Sequence, residues 1–517
     1  MTLPQVFPSV VHMLADAARR HPDREALVCE YERLSYAAYA SAVARFSHEL
    51  IERGAGGGRI ALVLPNSADF AIAVFASLAA GAQTAPLNPL YTAHELGEIL
   101  GDCRPDLILV DPEAMEKIAA LADRIDPATV IEIGPGARRL AHGSDEPALT
   151  LPLPDPDTLG ILQYTGGTTG TPKGVDITHR ATATNVSQRQ AVVPIGEDDR
   201  LLVMTPLYHV YASSMGLFAA AYAGATLVIL PRYTPEAALT TIAKEGITFF
   251  AGSPTIYHGL LAHPLMGRTD FTRLALCFSG ASALPAETLA EWERRTGSVI
   301  CEGFGQTETG PVIAANPRDG KRKAGSVGVI LPETEVQIVD PVDGETLAPP
   351  LENGEIRVRG PQIMTGYRNR PDETAQTLRN GWLYTGDIGF IDVDGYLNIR
   401  DRKKDMVIVS GFNVYPREIE EVLYTCPGVR EAAAFGVPHP RKGEAIHVQV
   451  VAPDLDSEAI GAFLAERLTR YKIPSSIQIV DALPKTAVGK VDKATLRMDA
   501  LAKRPSGERR ENQQPIQ

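Results

Sequence analysis

One complete strand–helix–strand pattern lies within residues 60–84, reading Ile60-Ala61-Leu62-Val63-Leu64, Pro65-Asn66-Ser67, a largely apolar stretch to Ala80, then Gly81 and Thr84. The apolar run 60–64 predicts a buried strand, and Ser67 predicts the N-cap of a helix over 68–80. Because glycine favours a helix end, Gly81 predicts that a new strand begins near Thr84.

The same alternation of strands and helices continues along the chain. Further apolar strands are predicted at 105–111, 130–133, 227–230 and 248–251. Strands that alternate with helices form parallel sheets covered on both faces. Residues 134–157, rich in Pro, Gly and Asp, predict a connection between subdomains. The expected fold class is therefore α/β, with two doubly wound sheet subdomains in a large N-terminal domain.

The character of the chain changes after about residue 320. Short strands with Gly/Asp turns are predicted at 336–339, 354–359 and 396–399, which indicates an antiparallel β subdomain. A small α+β unit follows, with strands predicted at 432–436, 445–451 and 476–480 and a helix over 457–470. We expect an N-terminal domain over 1–402, a C-terminal domain over 403–502 and a disordered tail over 503–517.

Composition limits the functions that the chain can have. The chain has 517 residues and a formal net charge of −13. An acidic balance argues against sequence-independent nucleic-acid binding, which relies on clustered Lys and Arg. The five cysteines are scattered and never form a CxxC pair, which argues against a metal cluster or a disulfide framework. Free thiols are typical of the reducing cytoplasm, where we expect this protein.

One segment is long enough to cross a membrane. Residues 201–231 carry no charge, and a spanning helix needs about 20 apolar residues. However, Pro206, His209, Gly216 and Gly224 interrupt the segment, so it predicts a buried helix, a turn and a strand. The start of the chain also lacks the basic and apolar blocks of a signal peptide. We therefore expect no integral membrane association.

A glycine-rich loop follows the apolar strand predicted at 159–162, and it reads Tyr164-Thr165-Gly166-Gly167-Thr168-Thr169-Gly170-Thr171-Pro172-Lys173-Gly174. Glycines let the backbone approach a ligand closely, threonines supply hydroxyl donors, and Lys173 adds a positive charge. A polyphosphate requires this combination of donors and charge. Pro172 and Gly174 on either side of Lys173 exclude the P-loop NTPase pattern. A mobile surface loop is the alternative interpretation.

With four further motifs in the same order, this loop resembles the adenylate-forming superfamily of acyl-CoA synthetases, adenylation domains and beetle luciferases. The motifs are Gly303-Phe304-Gly305-Gln306-Thr307-Glu308, Tyr384-Thr385-Gly386-Asp387, Asp401-Arg402-Lys403-Lys404-Asp405 and Pro484-Lys485-Thr486-Ala487-Val488-Gly489-Lys490. The resemblance covers nearly the whole chain. One departure is Gly166, where many relatives carry serine.

The resemblance implies a two-step reaction with ATP, Mg²⁺ and the co-substrate coenzyme A. A carboxylate attacks the α-phosphorus of MgATP, which gives acyl-AMP and pyrophosphate, and a thiol then displaces AMP. The protein would mainly position the reactants and stabilise oxyanion charge. The expected partners are therefore small molecules, namely the acid, ATP and CoA, and the oligomeric state is left open.

The resemblance also assigns roles to individual residues. Thr307 is expected to contact the α-phosphate, Glu308 to hold Mg²⁺, and Lys490 to bridge the substrate carboxylate and the α-phosphate. Asp387 would accept from the ribose hydroxyls, with an Asx-type turn as the alternative. Arg402 would provide a second contact to the ribose or a phosphate, with an ordinary surface ion pair as the alternative. The full expected ATP- and AMP-binding set is Thr165, Gly166, Gly167, Thr168, Thr169, Gly170, Lys173, Gly280, Ala281, Ser282, Gly303, Phe304, Gly305, Gln306, Thr307, Asp387, Arg402 and Lys490.

Two of these groups would enclose the adenine base. Phe304 stands where relatives usually have tyrosine and is expected to stack on the base, with core packing as the alternative. The strip Gly280-Ala281-Ser282 would line the other side of the base.

Three further roles follow from the same resemblance. Lys404 matches the hinge about which the C-terminal domain moves, and Gly411 matches the glycine beside the CoA channel. His209 matches a position near the acyl carbon, although a histidine on an apolar segment is often a satisfied core residue. The residues expected to line the acyl pocket are Tyr211, Ser213 and Ser214.

The nature of the acid is the least determined feature. Residues 210–222 contain no acidic residue, whereas adenylation domains for amino acids place an aspartate there to pair with the substrate ammonium. The small residues around Gly216 fit either an acyl tunnel or close helix packing. The stretch 381–406 resembles fatty-acid–CoA ligases, so we expect a medium- to long-chain fatty acid, with an aryl acid of the coumarate or benzoate kind as the alternative.

Two other functions remain open at this point. The chain could be a stand-alone adenylating enzyme that loads a carrier protein, or a silent nucleotide-binding relative. Retention of Lys173, Glu308, Asp387 and Lys490 counts against the silent relative.

Overall fold

The computed structural model describes residues 2–141, 152–165, 172–410, 412–485 and 491–502. The chain forms two compact units. The first consists of Met1–Gln337, Arg357–Thr385 and Ile391–Asn398, and the second of Ile338–Ile356, Gly386–Phe390 and the chain from Ile399 onward. The expected domain boundary at 402/403 and the hinge at Lys404 remain predictions, and the tail 503–517 lies outside the described residues.

The strands before residue 403 form two large sheets. The strands of the first sheet are β1 Glu25–Cys29, β2 Glu32–Ser35, β9 Arg200–Val203, β10 Thr226–Ile229, β11 Phe249–Gly252, β12 Leu276–Ser279, β13 Val299–Phe304, β14 Ala314–Ala315, β15 Gly328–Ile330, β16 Glu335–Val339, β17 Gly354–Arg359, β19 Leu378–Arg379, β20 Trp382–Ile391 and β21 Tyr396–Arg402. Their order across the sheet is β16-β17-β20-β21-β15-β14-β13-β12-β11-β9-β10-β1-β2, and β19 pairs with β20. The strands of the second sheet are β3 Arg59–Val63, β4 Gln83–Pro86, β5 Leu107–Val110, β6 Val130–Glu132, β7 Leu159–Thr165, β8 Lys173–Thr178 and β18 Gly366–Tyr367. Their order across the sheet is β18-β8-β7-β4-β3-β5-β6.

Twelve α-helices of the first unit cover these sheets. They are α1 Val10–Arg20, α2 Tyr36–Glu52, α3 Ala68–Ala79, α4 Ala93–Cys103, α5 Met115–Ala119, α6 His179–Val192, α7 Val210–Ala212, α8 Ala219–Ala223, α9 Pro235–Glu245, α10 Pro254–Ala262, α11 Ala286–Thr296 and α12 Pro371–Thr377, within the described residues. A π-helix, Ser213–Phe218, joins α7 to α8.

The segment 60–84 folds as its sequence predicts. Ser67 caps α3, because its Oγ accepts a hydrogen bond from the N–H of Phe70 at 3.0 Å. Strands β3 and β4 pair in parallel with Ile60 opposite Thr84. Every residue of α3 is buried, as expected for a helix that is apolar on all sides.

Alternating side chains distribute the core over both faces of each sheet. In β9, Leu201 belongs to the core between the two sheets, whereas Leu202 belongs to the core beneath α9, α10 and α11. In β3, Leu62 faces the shared core and Ala61 faces the core against α4. Because both faces of each sheet are covered by helices, the doubly wound α/β prediction is confirmed. Strand β14 pairs antiparallel with β13 and with β15, and β15 pairs antiparallel with β21, which contains the predicted strand 396–399.

The uncharged segment 201–231 forms the predicted helix, turn and strand. The helical part, α7, the π-helix and α8, ends at Gly224, whose φ of 73° is in the left-handed region that glycine tolerates. Strand β10 follows. No helix in the described part of the chain is long and apolar enough to cross a membrane.

The second unit contains one mixed sheet of its own. Its strands are β22 Val407–Val409, β23 Phe412–Val414, β24 Glu431–His439, β25 Gly443–Val451 and β26 Ser476–Ile479, in the order β23-β22-β25-β24 with β26 on β25. Its helices are α13 Pro416–Tyr424, α14 Ser457–Ala465 and α15 Lys493–Ala502.

One helix of this unit is shorter than the sequence predicts. The expected helix over 457–470 ends at Ala465, because Thr469 adopts an extended backbone (φ −65°, ψ 150°) and starts a separate 3₁₀ turn. Leu468 still packs against the core of the unit. Because it follows Leu464 at helical spacing, the sequence pattern predicted a helix longer than the one that forms.

Candidate active site

Two of the predicted adenine-binding elements lie side by side at one edge of the first sheet. Strands β12 and β13 pair in parallel with Ser279 opposite Glu302, so Gly280 and Gly303 follow at the same carboxyl edge. Ligands of open parallel sheets bind at this edge. A Cβ on Gly280 would lie 3.0 Å from the Tyr211 ring, so the backbone of Gly280 packs closely against this ring. Phe304 is only partly buried, which leaves part of its ring exposed.

The motif loop after β13 has a conformation that requires glycine. A Cβ on Gly305 would lie 1.6 Å from the carbonyl oxygen of Pro311, so a side chain there is excluded. The N–H of Gln306 donates to Thr309 Oγ1 at 2.9 Å, and its side-chain amide donates to the carbonyl of Thr385 at 2.8 Å. These bonds hold the short 3₁₀ turn that carries the buried Thr307.

Glu308 and Lys173, two residues of separate motifs, meet through a tyrosine. The hydroxyl of Tyr367 donates to Glu308 Oε1 at 2.8 Å, and Lys173 Nζ lies 5.2 Å from the centre of the Tyr367 ring. Lys173 also pairs with Glu373 at 2.5 Å. Burial and the charge of Glu308 raise the pKa of Tyr367, so the phenol stays protonated as a donor. We call these four residues the Lys173–Glu308 cluster.

The glycine-rich loop is closed at its base by a hairpin. Strands β7 and β8 are antiparallel, with Thr165 opposite Lys173. Predicted phosphate-binding residues between them, namely Gly166, Gly167, Thr168, Thr169 and Gly170, lie outside the described residues, as do Gly411 and Lys490. The pairing shows that Thr165 and Lys173 hold the two ends of the loop together.

His209 has a capping role in its own segment. Its Nδ1 accepts a hydrogen bond from the N–H of Tyr211 at 3.2 Å, at the start of α7. The carbonyl of the preceding Tyr208 accepts from the side chain of Gln163 on β7 at 2.9 Å. The segment is thereby tied to the strand that leads into the glycine-rich loop, and His209 remains partly exposed.

A narrow cavity begins beside the motif loop. Its volume is about 10 Å³, which is room for about one water molecule. Its walls are formed by Val74, Thr84, Pro86, Ile161, Gln163, Ile177, Thr182, Val210, Ser213, Ser214, Phe218 and Gly310. Gly310 directly follows the turn that carries Thr307 and Glu308, so the cavity extends from this turn into the apolar interior.

Two of the three expected acyl-pocket residues, Ser213 and Ser214, line this cavity, whereas Tyr211 does not. The Tyr211 hydroxyl lies 3.2 Å from the carbonyl oxygens of both Gly252 and Phe278, to which it donates. Close helix packing, one of the two interpretations of the small residues, holds at Gly216, and the acyl tunnel remains a prediction. Gly216 serves close packing, because a Cβ there would lie 2.1 Å from Val203 Cγ2.

The second unit contains its own group of predicted residues. Asp387 is buried and pairs with Arg402, with 2.8 Å between Oδ1 and Nε. Lys403 pairs with Glu355 at 2.7 Å. Lys404 lies in the 3₁₀ turn Lys403–Asp405, and burial lowers the pKa of its ammonium group. The predicted ribose carboxylate and its predicted arginine companion are therefore in direct contact.

Asp401, next to this pair in sequence, is a buried carboxyl group. Burial raises its pKa to about 6, although Lys493 acts in the opposite direction. The N–H groups of Arg402 and Arg417 donate to its two oxygens at 2.7 and 2.9 Å. Lys493 in turn pairs with Glu420 at 2.7 Å, so one ammonium group lies near two carboxyl groups.

Sequence reasoning missed Tyr367 and Glu373. Gly366 and Tyr367 form β18, which pairs with β8 through Tyr367 opposite Val175. This pairing joins segments that are almost two hundred positions apart, and no local pattern predicts it. The glycine before Tyr367 is the only local signal that we identify in retrospect.

The arrangement suits a nucleotide with a magnesium ion. The described residues contain no group of three or more His, Cys, Asp or Glu side chains that could hold a metal by themselves. Mg²⁺ is usually bound by one or two carboxylates together with substrate phosphates, and Glu308 beside the lysine of the glycine-rich loop fits that pattern.

Comparison with known proteins agrees with this geometry. The family model of the AMP-binding enzyme matches residues 14–368, and that of the AMP-binding enzyme C-terminal domain matches residues 418–490. A long-chain-fatty-acid–CoA ligase of Bacillus subtilis is 36% identical over 95% of this chain and 94% of its own length. A feruloyl-CoA synthase of an Amycolatopsis species is 36% identical over 93% of this chain and 96% of its own length.

Among solved structures, ATP-bound MatB from Rhodopseudomonas palustris superposes with a TM-score of 0.88 at 33% identity, covering 95% of this chain and 98% of its own. Similarity that runs almost from end to end in sequence and in structure settles the family. The chain belongs to the AMP-binding enzyme family, the adenylate-forming acid–CoA ligases that use ATP, Mg²⁺ and coenzyme A.

Proposed function

We propose that this enzyme activates a medium- to long-chain fatty acid and transfers the acyl group to CoA in the cytoplasm. The observation that supports the substrate class is the narrow cavity that Gly310 borders, whose walls are mainly apolar. An alkyl chain gains free energy when it leaves water for such walls. The fatty-acid–CoA ligase relative supports the same substrate.

An aryl acid is the second candidate. The feruloyl-CoA synthase relative is as similar in identity as the fatty-acid–CoA ligase. The cavity volume is only about 10 Å³. A long acyl chain therefore requires neighbouring side chains to move, whereas a short acid requires less movement.

In the reaction, the residues of the first unit would bind and orient MgATP. Glu308 would hold Mg²⁺, which supplies charge neutralisation at the phosphates, and Thr307 and Lys173 would contact the phosphate oxygens. Tyr367 would keep the Glu308 carboxylate oriented. The closeness of Lys173 and Glu308 supports these roles.

In the second unit, Asp387 and Arg402 would bind the ribose. Lys490 would bridge the substrate carboxylate and the α-phosphate during adenylation, and Lys404 would be the hinge between the two half-reactions. Gly411 would border the CoA channel.

Two assays test the proposal. Pyrophosphate exchange over a panel of fatty and aryl acids identifies the acid that is adenylated, and the dependence of AMP release on CoA identifies the acceptor. We expect exchange with fatty acids and AMP release only with CoA. Exchange with aryl acids alone would support the second candidate, and CoA-independent turnover with an added carrier protein would contradict the acceptor. Exchange with no acid would contradict the proposed function itself.

The role of Lys490 is tested separately. Lys490→Ala should abolish acyl-AMP formation yet still convert supplied acyl-AMP to thioester. Equal loss of both half-reactions would contradict the assigned role.

A further inference from the structure

Two hydroxyl groups in the wall of the acyl cavity lack a hydrogen-bond partner. Thr84 on β4 is fully buried, and Ser214 in the π-helix has an exposed fraction of 2%. Within the described residues, neither Thr84 Oγ1 nor Ser214 Oγ has a partner. Buried hydroxyl groups are nearly always paired in native proteins, so an unpaired group requires an explanation.

Two other hydroxyl groups of the same wall are paired with the backbone. Ser213 Oγ donates to the carbonyl of Leu207 at 2.5 Å, and Thr182 Oγ1 donates to the carbonyl of Thr178 at 3.2 Å. Backbone acceptors therefore satisfy the hydroxyl groups that only support the wall. Thr84 and Ser214 differ because they have no such acceptor.

The π-helix gives Ser214 an unusual backbone environment. In a regular α-helix a serine hydroxyl can bond back to the carbonyl of the preceding turn, but Ser214 makes no such bond. π-helical turns are rare and occur frequently at functional sites. The π-helix thus leaves the hydroxyl of Ser214 available in a wall that also contains Val74 and Phe218.

The surroundings define the chemistry of the missing partner. Most of the cavity wall is apolar, and the cavity has room for about one water molecule. A ligand that displaces this water must therefore be largely apolar and must supply a hydrogen-bonding oxygen for the unpaired hydroxyl groups.

We propose that Thr84 and Ser214 recognise an oxygen on the acyl part of the substrate, so that the enzyme prefers an acid bearing a hydroxyl or ether oxygen over the plain acid of the same skeleton. This inference rests on the proposed function, since it assumes that the cavity receives the acyl group. The oxygen could belong to a hydroxylated fatty acid or to a phenolic aryl acid, which share the same hydrogen-bonding chemistry.

A matched panel tests the preference. The panel compares dodecanoate with hydroxydodecanoates substituted at successive carbons, and cinnamate with its para-hydroxy derivative, by kcat/KM for CoA-dependent AMP release. We expect at least one oxygen-bearing acid to exceed its plain counterpart about tenfold or more, because the plain acid leaves the hydroxyl groups unpaired. If this acid is a hydroxydodecanoate, the oxygen belongs to a hydroxylated fatty acid; if it is para-hydroxycinnamate, the oxygen belongs to a phenolic aryl acid.

Variants assign the preference to the two hydroxyl groups. Thr84→Val and Ser214→Ala should each reduce the preference about tenfold, measured as the ratio of kcat/KM for the oxygen-bearing acid to kcat/KM for the plain acid. Ser47→Ala is the matched control, because Ser47 Oγ in α2 is also buried and unpartnered among the described residues but does not line the cavity.

Three results would overturn the inference. The first is a wild-type enzyme that treats both members of every pair alike, which would indicate that a water molecule alone satisfies the hydroxyl groups. The second is a preference that survives in both cavity variants, and the third is an equal change in Ser47→Ala. In each case the acids would still be turned over, so failure of the inference is distinguishable from failure of the proposed function.

Discussion

The hydroxyl of Tyr367 donates to Glu308 Oε1 at 2.8 Å, while the same ring lies 5.2 Å from the ammonium nitrogen of Lys173. One aromatic side chain thus touches the residue expected to hold Mg²⁺ and the lysine expected to bind phosphate. A cation near an aromatic face is attracted by its electron density, so the ring supports Lys173 as the hydroxyl supports Glu308. The Lys173–Glu308 cluster thus holds one cation and two carboxylates around a single tyrosine.

Tyr367→Phe removes the donor to Glu308 and keeps the ring beside Lys173. We expect the rate of pyrophosphate exchange to fall about tenfold and the Mg²⁺ concentration for half-maximal exchange to rise, since the carboxylate loses an orienting hydrogen bond. Tyr396→Phe is the matched control, because the Tyr396 hydroxyl also donates a hydrogen bond, to the backbone carbonyl of Lys321, and its ring also contacts a lysine, Lys323. Equal effects of the two substitutions would refute a specific role for Tyr367.

Glu308→Gln removes the charge and keeps the shape of the side chain. We expect the adenylation rate to fall on the order of a hundredfold or more, because the variant loses a charged ligand for Mg²⁺. Thioester formation from supplied acyl-AMP should change much less, since that step involves no triphosphate. Glu335→Gln, at an exposed ion pair with Arg359, controls for the loss of one negative charge. Retention of adenylation in Glu308→Gln would exclude the assigned role.

Gly305→Ala should displace the motif loop. The added Cβ would lie 1.6 Å from a backbone oxygen, which no side-chain rotation relieves, and a shift of about 1 Å at a catalytic loop can cost about a hundredfold in rate. We expect a loss of that size in pyrophosphate exchange.

Gly101→Ala in α4 is the control for this substitution, because a Cβ there meets nothing within 4 Å. It should be neutral or stabilise the fold by about 0.5–1 kcal/mol in thermal unfolding. An active Gly305→Ala enzyme would show that the loop accommodates a side chain.

Asp401 should make the stability of the second unit depend on pH. Its pKa is raised from 3.8 to about 6 in the fold, so the folded state holds the proton more tightly than the unfolded state. Its stabilising contribution is complete below about pH 4 and is lost as the pH rises through 6, a change of about 3 kcal/mol. In Asp401→Asn this change disappears.

Hydrogen exchange of β24 and β25 measures this effect when wild type and variant are compared at the same pH. Relative to wild type, Asp401→Asn should gain protection between pH 4 and 7. Asp454→Asn, at an exposed position of the same unit, controls for the loss of charge. A difference between wild type and Asp401→Asn that stays constant with pH would contradict the shifted pKa.

Local sequence signals predicted most of the fold. Ser67 and the apolar residues around it were enough to predict α3, because a cap and a helical pattern act within a few residues. The end of α14 was missed, because Leu468 continues the apolar spacing after Thr469 has left the helical conformation. The π-helix was missed for a similar reason, since its residues are apolar or small in either helical form.

The site was predicted less completely than the fold. Motif residues such as Thr307 and Asp387 were identified because they stand in recognisable contiguous runs. Tyr367 reaches Glu308 only through the pairing of β18 with β8, and Thr84 reaches the cavity only through the stacking of helices on the second sheet. Such residues depend on contacts between distant segments, which a single sequence does not encode locally.

Gly216 sets a practical limit on changing what the enzyme accepts. Its absent side chain lets the π-helix lie against Val203, and the hypothetical Cβ would overlap that valine at 2.1 Å. Engineering of substrate range should therefore vary Ser213 and Ser214, which line the cavity, and keep position 216 fixed. A library that also randomises position 216 would force Val203 to move in every member that carries a side chain there.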